Sequence, residues 1–126
     1  MVIIDTSVWV PAYKVRTSPE KVEVARLVSR DEAAIVGIIF TEVMRGARNE
    51  AEFEEMREEL LAATYIEDDF EDWLTASRLL FELKLQGQII PLPDALIAAQ
   101  ALRTGHAVYT HDEHFKRVAG LKLHTP

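Results

Sequence analysis

Short apolar runs alternate with helix-forming segments along almost the whole chain, and this alternation limits the fold more than any other feature. The runs Val2 to Asp5, Ala34 to Ile39, Ala107 to Tyr109 and Leu121 to Leu123 are too short and too apolar for surface helices. Strands covered on both faces have this composition, and they occur in parallel sheets. Because strands that alternate with helices form crossover units, the sequence predicts an α/β fold in which a short, mostly parallel sheet lies between helices.

The segments between these runs carry residues that favour helix starts. The candidate caps are Thr6 and Ser7, Ser18 with Pro19, Asn49 with Glu52, and Asp68 with Glu71. The predicted helices begin after Asp5 and then cover 18–30, the residues around Glu42, 51–63, 69–86 and 93–102, followed by a turn and short helix over 112–117. The helix that Pro93 starts is apolar around most of its circumference, so we expect it to be buried on several sides.

Length and composition indicate one domain spanning 1–126, since 126 residues can enclose one hydrophobic core but not two. The chain has no cysteine, which excludes disulfides and thiolate metal sites, so a metal would be held by oxygen or imidazole. No apolar run approaches the roughly 20 residues needed to span a bilayer, and Met1 to Asp5 do not resemble a signal peptide. We therefore expect a soluble, cytoplasmic protein that does not contact membranes.

The formal net charge of −7 argues against a protein that grips nucleic acid through bulk electrostatic attraction, because such proteins need clustered Lys and Arg. If RNA binds, a metal must help to neutralise its phosphates. An acidic surface also suits a basic protein partner, which electrostatic steering would bring in quickly.

Acidic residues follow the predicted strands at the edge where ligands bind in such sheets. Asp5 directly follows the first strand, Glu42 lies shortly after the second, and Asp112 lies shortly after Tyr109. Asp94 opens the apolar helix, where an unpaired carboxylate costs several kcal/mol to desolvate. The helix dipole offsets only about 0.3 to 1 kcal/mol of this cost, so another group must stabilise Asp94.

If these four carboxylates converge, their repulsion protonates some of them near neutral pH unless one or two divalent cations bind. Mg²⁺ and Mn²⁺ prefer such an all-oxygen surrounding. A metal held in this way activates water for attack on phosphorus, which makes a phosphodiester the expected substrate. Taken singly, each acid also has a structural explanation: Asp94 as a first-turn acid, Asp112 as a cap, and Glu42 in a pair with Arg45.

Four short motifs resemble those of the PIN-domain ribonucleases, in the family's order. Ile3-Ile4-Asp5-Thr6-Ser7-Val8-Trp9 is similar to the opening motif, and Thr41-Glu42-Val43-Met44-Arg45-Gly46-Ala47 is similar to the second acidic motif. Asp94-Ala95-Leu96-Ile97-Ala98-Ala99 resembles the central helix, and Thr110-His111-Asp112-Glu113-His114-Phe115 resembles the Thr-x-Asp-x-x-Phe segment. One match alone is weak, but four in order, each at a predicted strand end or helix start, cover essentially the whole chain.

The resemblance implies a PIN-like three-layer α/β/α fold and a metal-dependent endoribonuclease. Asp5, Glu42, Asp94 and Asp112 would bind Mg²⁺ or Mn²⁺, and the RNA products would carry 5′-phosphate and 3′-hydroxyl ends. The small, single-domain form is most similar to the VapC toxins of type II toxin–antitoxin pairs. Such toxins bind a cognate antitoxin protein and form homodimers, and in similar toxins both contacts involve the helices that correspond to residues 18–63.

Side chains beside the motifs have assisting roles in the same interpretation. Thr6, Ser7 and Thr110 carry hydroxyls that can orient carboxylates, as corresponding residues do in similar proteins, or can cap helices. Arg45 is the first choice for holding an RNA phosphate beside the metal.

The neighbours of Asp112 offer alternatives to it. Family members differ at the last acid, so Glu113 is a second candidate for that position. His111 and His114 flank Asp112, but no further His or Cys cluster completes a tetrahedral zinc site. We therefore expect both histidines to be surface residues.

Other functions compete with this interpretation. A haloacid dehalogenase phosphatase needs a second Asp two residues after the first, and Ser7 stands there. A receiver-like signalling module needs paired acids after the first strand, whereas Asp5 stands alone. A PIN-type RNA-processing nuclease without a toxin role, or a module that binds RNA or protein without cutting, stays open because fold alone does not determine biological role. The sequence identifies neither the RNA that is cut nor the choice between Mg²⁺ and Mn²⁺.

Overall fold

Four short parallel strands form the central sheet of the computed structural model, which describes residues 1–126. The strands are β1 Val2–Ile4, β2 Ala33–Val36, β3 Thr64–Ile66 and β4 Ala107–Tyr109. The helices are α1 Thr6–Lys14, α2 Pro19–Ser29, α3 Gly37–Met44, α4 Glu50–Leu60, α5 Phe70–Leu85 and α6 Leu92–Thr104, followed by a 3₁₀ helix Glu113–Arg117. Every residue of β1 and β2 is buried, as expected for inner strands of a parallel sheet.

The strand order β3-β2-β1-β4 places helices on both faces of the sheet. The chain steps from β1 to β2 to β3 in one direction and then crosses back, so that β4 pairs with the other side of β1. Since crossovers between parallel strands are right-handed, α1 to α4 cover one face, and α5 and α6 cover the other. The helix packing agrees, because α1 contacts α2 and α3 while α5 contacts α6. The predicted three-layer α/β/α fold is confirmed.

The strands differ from the prediction at three places. The second strand ends at Val36 rather than Ile39, and Gly37 begins α3, because a short buried apolar run does not reveal where strand becomes helix. The edge strand Thr64–Ile66 was not predicted, since it is only partly buried and lacks an apolar run. Leu121 to Leu123 does not form a strand and contributes a single bridge to β4, between Leu123 and Val108.

A capping box starts α5 one residue later than predicted. The prediction placed it at Asp68 and Glu71, whereas Asp69 is the cap and Asp72 accepts the backbone N–H of Asp69 at 2.8 Å. Asp72 is almost fully buried, and both of its carboxylate oxygens accept bonds from Arg103, at 2.7 and 3.0 Å. This buried ion pair joins the start of α5 to the end of α6, a tertiary contact that a local capping pattern does not contain.

Helix α6 is buried on most sides, as predicted. Residues 95–101 are all buried, and Gly105 ends the helix in the left-handed conformation with φ 75°. The caps predicted at Ser18 and Asn49 are also present. None of the helices combines the length and the apolar character that crossing a membrane requires. The burial of α6 holds Asp94, in its first turn, in a defined position.

Candidate active site

The predicted acids come together beyond the carboxyl ends of β1 and β4. The strand order reverses between these two neighbours, which opens a crevice at this edge of the sheet. Asp5 directly follows β1, and Asp112 follows β4 by three residues. Glu42 on α3 and Asp94 on α6 lie close enough to these acids to repel them.

Two hydroxyl groups hold the Asp5 carboxylate in place. Ser7 Oγ and Thr110 Oγ1 each donate a hydrogen bond of 2.8 Å to Asp5 Oδ2. Both hydroxyls also accept backbone N–H bonds, Ser7 from His111 at 3.0 Å and Thr110 from Asp112 at 2.9 Å. Each hydroxyl proton is therefore directed at the carboxylate, and the two side chains orient Asp5 rather than cap α1.

A second group of ligand atoms joins Asp94, Asp112 and His114, all within 4.8 Å of one another. His114 Nδ1 lies 3.0 Å from Asp94 Oδ2 and 2.7 Å from Asp112 Oδ1. Asp112 Oδ1 also accepts the backbone N–H of His114 at 3.0 Å. His114 is therefore not the surface histidine that we expected, because the tight turn into the 3₁₀ helix returns its ring to the acids. Its position two residues after Asp112 was the only sequence signal of this contact.

Two acids of this crevice, Glu42 and Asp94, have raised pKa values. Burial, reinforced by repulsion from Asp5 and Asp94, raises the pKa of Glu42 above its ordinary value. Burial also raises the pKa of Asp94, and the charges of Asp112 and Asp5 add to this, whereas the hydrogen bond from His114 acts in the opposite direction. A bound cation would therefore favour the ionised forms of Glu42 and Asp94.

The other candidate residues occupy varied positions. Thr6 Oγ1 is buried and has no hydrogen-bond partner, so it does not bind a carboxylate. Arg45 is exposed at the end of α3, where its charge offsets part of the repulsion among the acids. Glu113 is exposed and pairs with Lys116 at 2.9 Å. Asp112 and not Glu113 thus reaches the crevice.

The sequence of this chain is similar to those of a known family of proteins. The PIN domain family model aligns with residues 2–121. Among characterised proteins, VapC ribonuclease Mb1587 from Mycobacterium bovis is 29% identical over 123 residues, which covers 94% of this chain and 92% of the relative. Ribonuclease VapC11 from Mycobacterium tuberculosis shows the same identity and coverage.

Solved structures share the fold over nearly the whole chain. A chain of VapBC2 from Rickettsia felis, bound to a promoter DNA fragment, superposes with a TM-score of 0.80 at 23% identity and covers 98% of both chains. DNA-bound VapBC from Salmonella typhimurium gives a TM-score of 0.81 at 19% identity, covering 98% of this chain and 96% of that one. Because the family match spans residues 2–121 and its acidic motifs meet in one crevice, the chain belongs to the PIN-domain family.

Proposed function

We propose that this chain is an endoribonuclease that hydrolyses RNA phosphodiester bonds with Mg²⁺ or Mn²⁺, and that it is the toxin of a toxin–antitoxin pair. The observation that carries the proposal is the convergence of four carboxylates, two of them with a raised pKa, in one crevice of a PIN fold. Relatives at 29% identity are named as ribonucleases, and the similar solved chains come from VapBC complexes.

The donor set suits a hard divalent cation. All four acids offer oxygen atoms, which Mg²⁺ and Mn²⁺ prefer as ligands. The raised pKa values of Glu42 and Asp94 reflect their burial first and then the negative charges of the neighbouring acids. We infer that Asp5, Glu42, Asp94 and Asp112 would hold the cation. When bound, it supplies a Lewis acid that polarises the scissile phosphate and lowers the pKa of water.

Neighbouring side chains orient the carboxylates for binding of a cation. The two hydroxyls bonded to Asp5 both reach Oδ2, which leaves Oδ1 for a ligand. His114 lies between Asp94 and Asp112 and fixes the positions of both carboxylates. Arg45, exposed beside the crevice, is suited to bind a phosphate of the incoming RNA.

An apolar groove between α1, α2 and α4 is the proposed antitoxin site. It encloses about 250 Å³ and is lined mainly by apolar side chains, among them Trp9, Ala12, Val24, Ala25, Val28 and Ala62. The adjoining surface carries charges of both signs, and Arg48 pairs with Glu52 at 3.0 Å. Its acids are Glu52, Glu55 and Glu59, and its bases are Lys14, Lys21 and Arg48. Burial together with Glu55 and Glu52 raises the pKa of Tyr13, which lies between the two regions. An apolar segment flanked by charged residues would complement this surface.

Helix α5 presents an apolar stripe that suits a homodimer. Phe70, Leu74, Phe81 and Leu85 lie along one side of the helix and are between 48% and 71% exposed. Exposed apolar patches of this kind mark interaction sites. We propose that a second copy of the chain covers this stripe, which lies outside the region 18–63 that the resemblance implied.

Loss of single carboxylates is the first test of the nuclease. Asp5→Asn and Asp94→Asn are each expected to slow cleavage of a labelled, structured RNA by about 100-fold or more, the order of effect seen when one group of an electrostatic set is removed. EDTA should abolish wild-type cleavage, and Mg²⁺ or Mn²⁺ should restore it. Glu58→Gln alters an exposed acid on α4 and should cut normally. A wild type that cuts none of several RNAs, after removal of bound inhibitor, would indicate a binding module instead.

The raised pKa of Glu42 leads to a prediction about stability. A raised pKa means that ionised Glu42 costs folding stability as the pH rises through that pKa. Glu42→Gln should therefore raise Tm by a few degrees at pH 7 in EDTA, and this gain should shrink near pH 4, where wild-type Glu42 is protonated. Mg²⁺ should raise Tm of the wild type more than that of the variant. Glu58→Gln is the control, and an equal gain in Tm from it would contradict the explanation.

The antitoxin site can be tested separately from the nuclease. Ala25→Arg places a long charged side chain in the groove and is expected to weaken binding of the small protein encoded beside this chain by about 10-fold or more, because apolar contacts at a groove centre dominate such interfaces. RNA cleavage should be unchanged. Ala51→Arg, at an exposed position outside the groove, is the matched control. Failure of every neighbour-encoded small protein to bind or inhibit the wild type would reject the toxin role.

The dimer proposal is tested by sedimentation at micromolar concentration. The wild type is expected to sediment as a dimer and the double variant Leu74→Glu, Phe81→Glu as a monomer, because charges on the stripe resist burial. Val22→Glu changes an apolar residue on α2 that is more exposed than Leu74 or Phe81, and this variant should remain dimeric. A monomeric wild type would count against the homodimer.

A further inference from the structure

A second cavity lies beside the carboxylates, between α3, α5 and α6. It encloses about 240 Å³, below the roughly 300–1,000 Å³ of clefts that bury drug-sized ligands, so its size suits a single flat ring system. Thr41, which precedes Glu42, forms part of its wall. Gln100 is another lining residue and lies about 9 Å beyond Asp94 along the axis of α6. The cavity is therefore within reach of a nucleotide next to the crevice.

Gln100, which lines this cavity, carries an unsatisfied polar atom. The residue is 1% exposed, and its Oε1 is buried without a hydrogen-bond partner. A buried acceptor of this kind destabilises the protein unless a ligand supplies the missing donor. A leucine would occupy similar space without that cost, so packing alone does not explain the amide.

Trp73 supplies a flat apolar wall of the same cavity. Its side chain is 43% exposed, and Nε1 donates to Asp68 Oδ2 at 3.4 Å. Gly37 also lines the cavity, and a Cβ there would lie only 3.2 Å from the hydroxyl oxygen of Tyr65. Nucleobases stack on exposed aromatic rings of this kind.

We propose that this cavity is a nucleobase subsite for a nucleotide flanking the scissile phosphate, with a preference for bases that carry an exocyclic amino group. The proposal rests on the proposed nuclease function. Gln100 Oε1 and the Asp68 carboxylate both accept hydrogen bonds. The exocyclic amino group of adenine, cytosine or guanine has two N–H donors and would satisfy both acceptors, whereas uracil has only its ring N3–H. Trp73 stacks on the base. Because the chain has a net charge of −7, bulk electrostatic attraction does not bind RNA, and contacts with the base in this subsite supply part of the binding instead.

Binding of the four nucleoside 5′-monophosphates to the full chain in Mg²⁺ tests the subsite without cleavage. Trp9 is 4% exposed, so quenching of tryptophan fluorescence reports mainly on Trp73. AMP, CMP and GMP are expected to bind more tightly than UMP. Gln100→Leu should weaken binding of the first three by about 3- to 10-fold, the effect of one hydrogen bond. Trp73→Ala should weaken all four, by about 5-fold or more in calorimetry.

A matched control and a stability measurement separate recognition from structure. Gln88→Leu changes an exposed glutamine and should leave nucleotide binding unchanged. Gln100→Leu is expected to keep or raise Tm, because it removes an unpaired buried acceptor. A lower Tm with unchanged nucleotide binding would make the amide structural and overturn the proposal. A change in sedimentation of both variants, with nucleotide affinity unaltered, would make the cavity a protein contact and overturn it as well.

Cleavage of RNAs that differ only in the base beside a fixed cut site distinguishes this subsite from the nuclease itself. The wild type should cut the uracil-containing RNA most slowly, and Gln100→Leu should still cut but lose this discrimination. Equal cutting of all four RNAs by the wild type would reject the subsite and leave the nuclease proposal intact. A wild type that cuts none contradicts the nuclease proposal, and mononucleotide binding alone then decides on the subsite.

Discussion

Repulsion among four carboxylates in one crevice is the constraint on which the rest of the structure depends. Asp5 tolerates its buried position because two hydroxyls donate to it, and each hydroxyl is itself held by a backbone N–H of the segment after β4. Asp94 is held at the start of a buried helix and contacts His114. Chain connectivity and helix packing thus hold the four carboxylates close together. Their mutual repulsion lowers the stability of the fold, and a bound divalent cation would offset this repulsion.

The same excess of negative charge limits how this chain meets its partners. With a net charge of −7, the protein as a whole repels RNA. Binding of RNA must therefore come from particular groups of side chains. The crevice, the exposed Arg45 beside it and the aromatic cavity at Trp73 are such features. The apolar groove meets a different surface, in which Glu55 and Glu59 lie in the same region as Lys14 and Lys21.

The α/β/α architecture separates these tasks in space. The crevice opens at the carboxyl edge of the sheet, the apolar groove lies among α1, α2 and α4, and the apolar stripe runs along α5. The helices of the groove and of the stripe cover opposite faces of the sheet, because the crossovers on the two sides of β1 run in opposite directions. One small sheet therefore supports the acidic crevice, the apolar groove and the apolar stripe in three separate places.

Local patterns in the chain were sufficient for the alternation of strands and helices, for the burial of α6, and for the positions of Asp5, Asp94 and Asp112 at strand ends or helix starts. These properties depend on residues close in sequence, through apolar periodicity, capping and chain direction. The end of β2 at Val36, the strand Thr64–Ile66, the ring of His114 against two acids and the unpartnered amide of Gln100 came only from the folded structure. These four features depend on how segments that are far apart in the sequence pack together. A local sequence pattern does not reveal which residues from distant segments will be in contact.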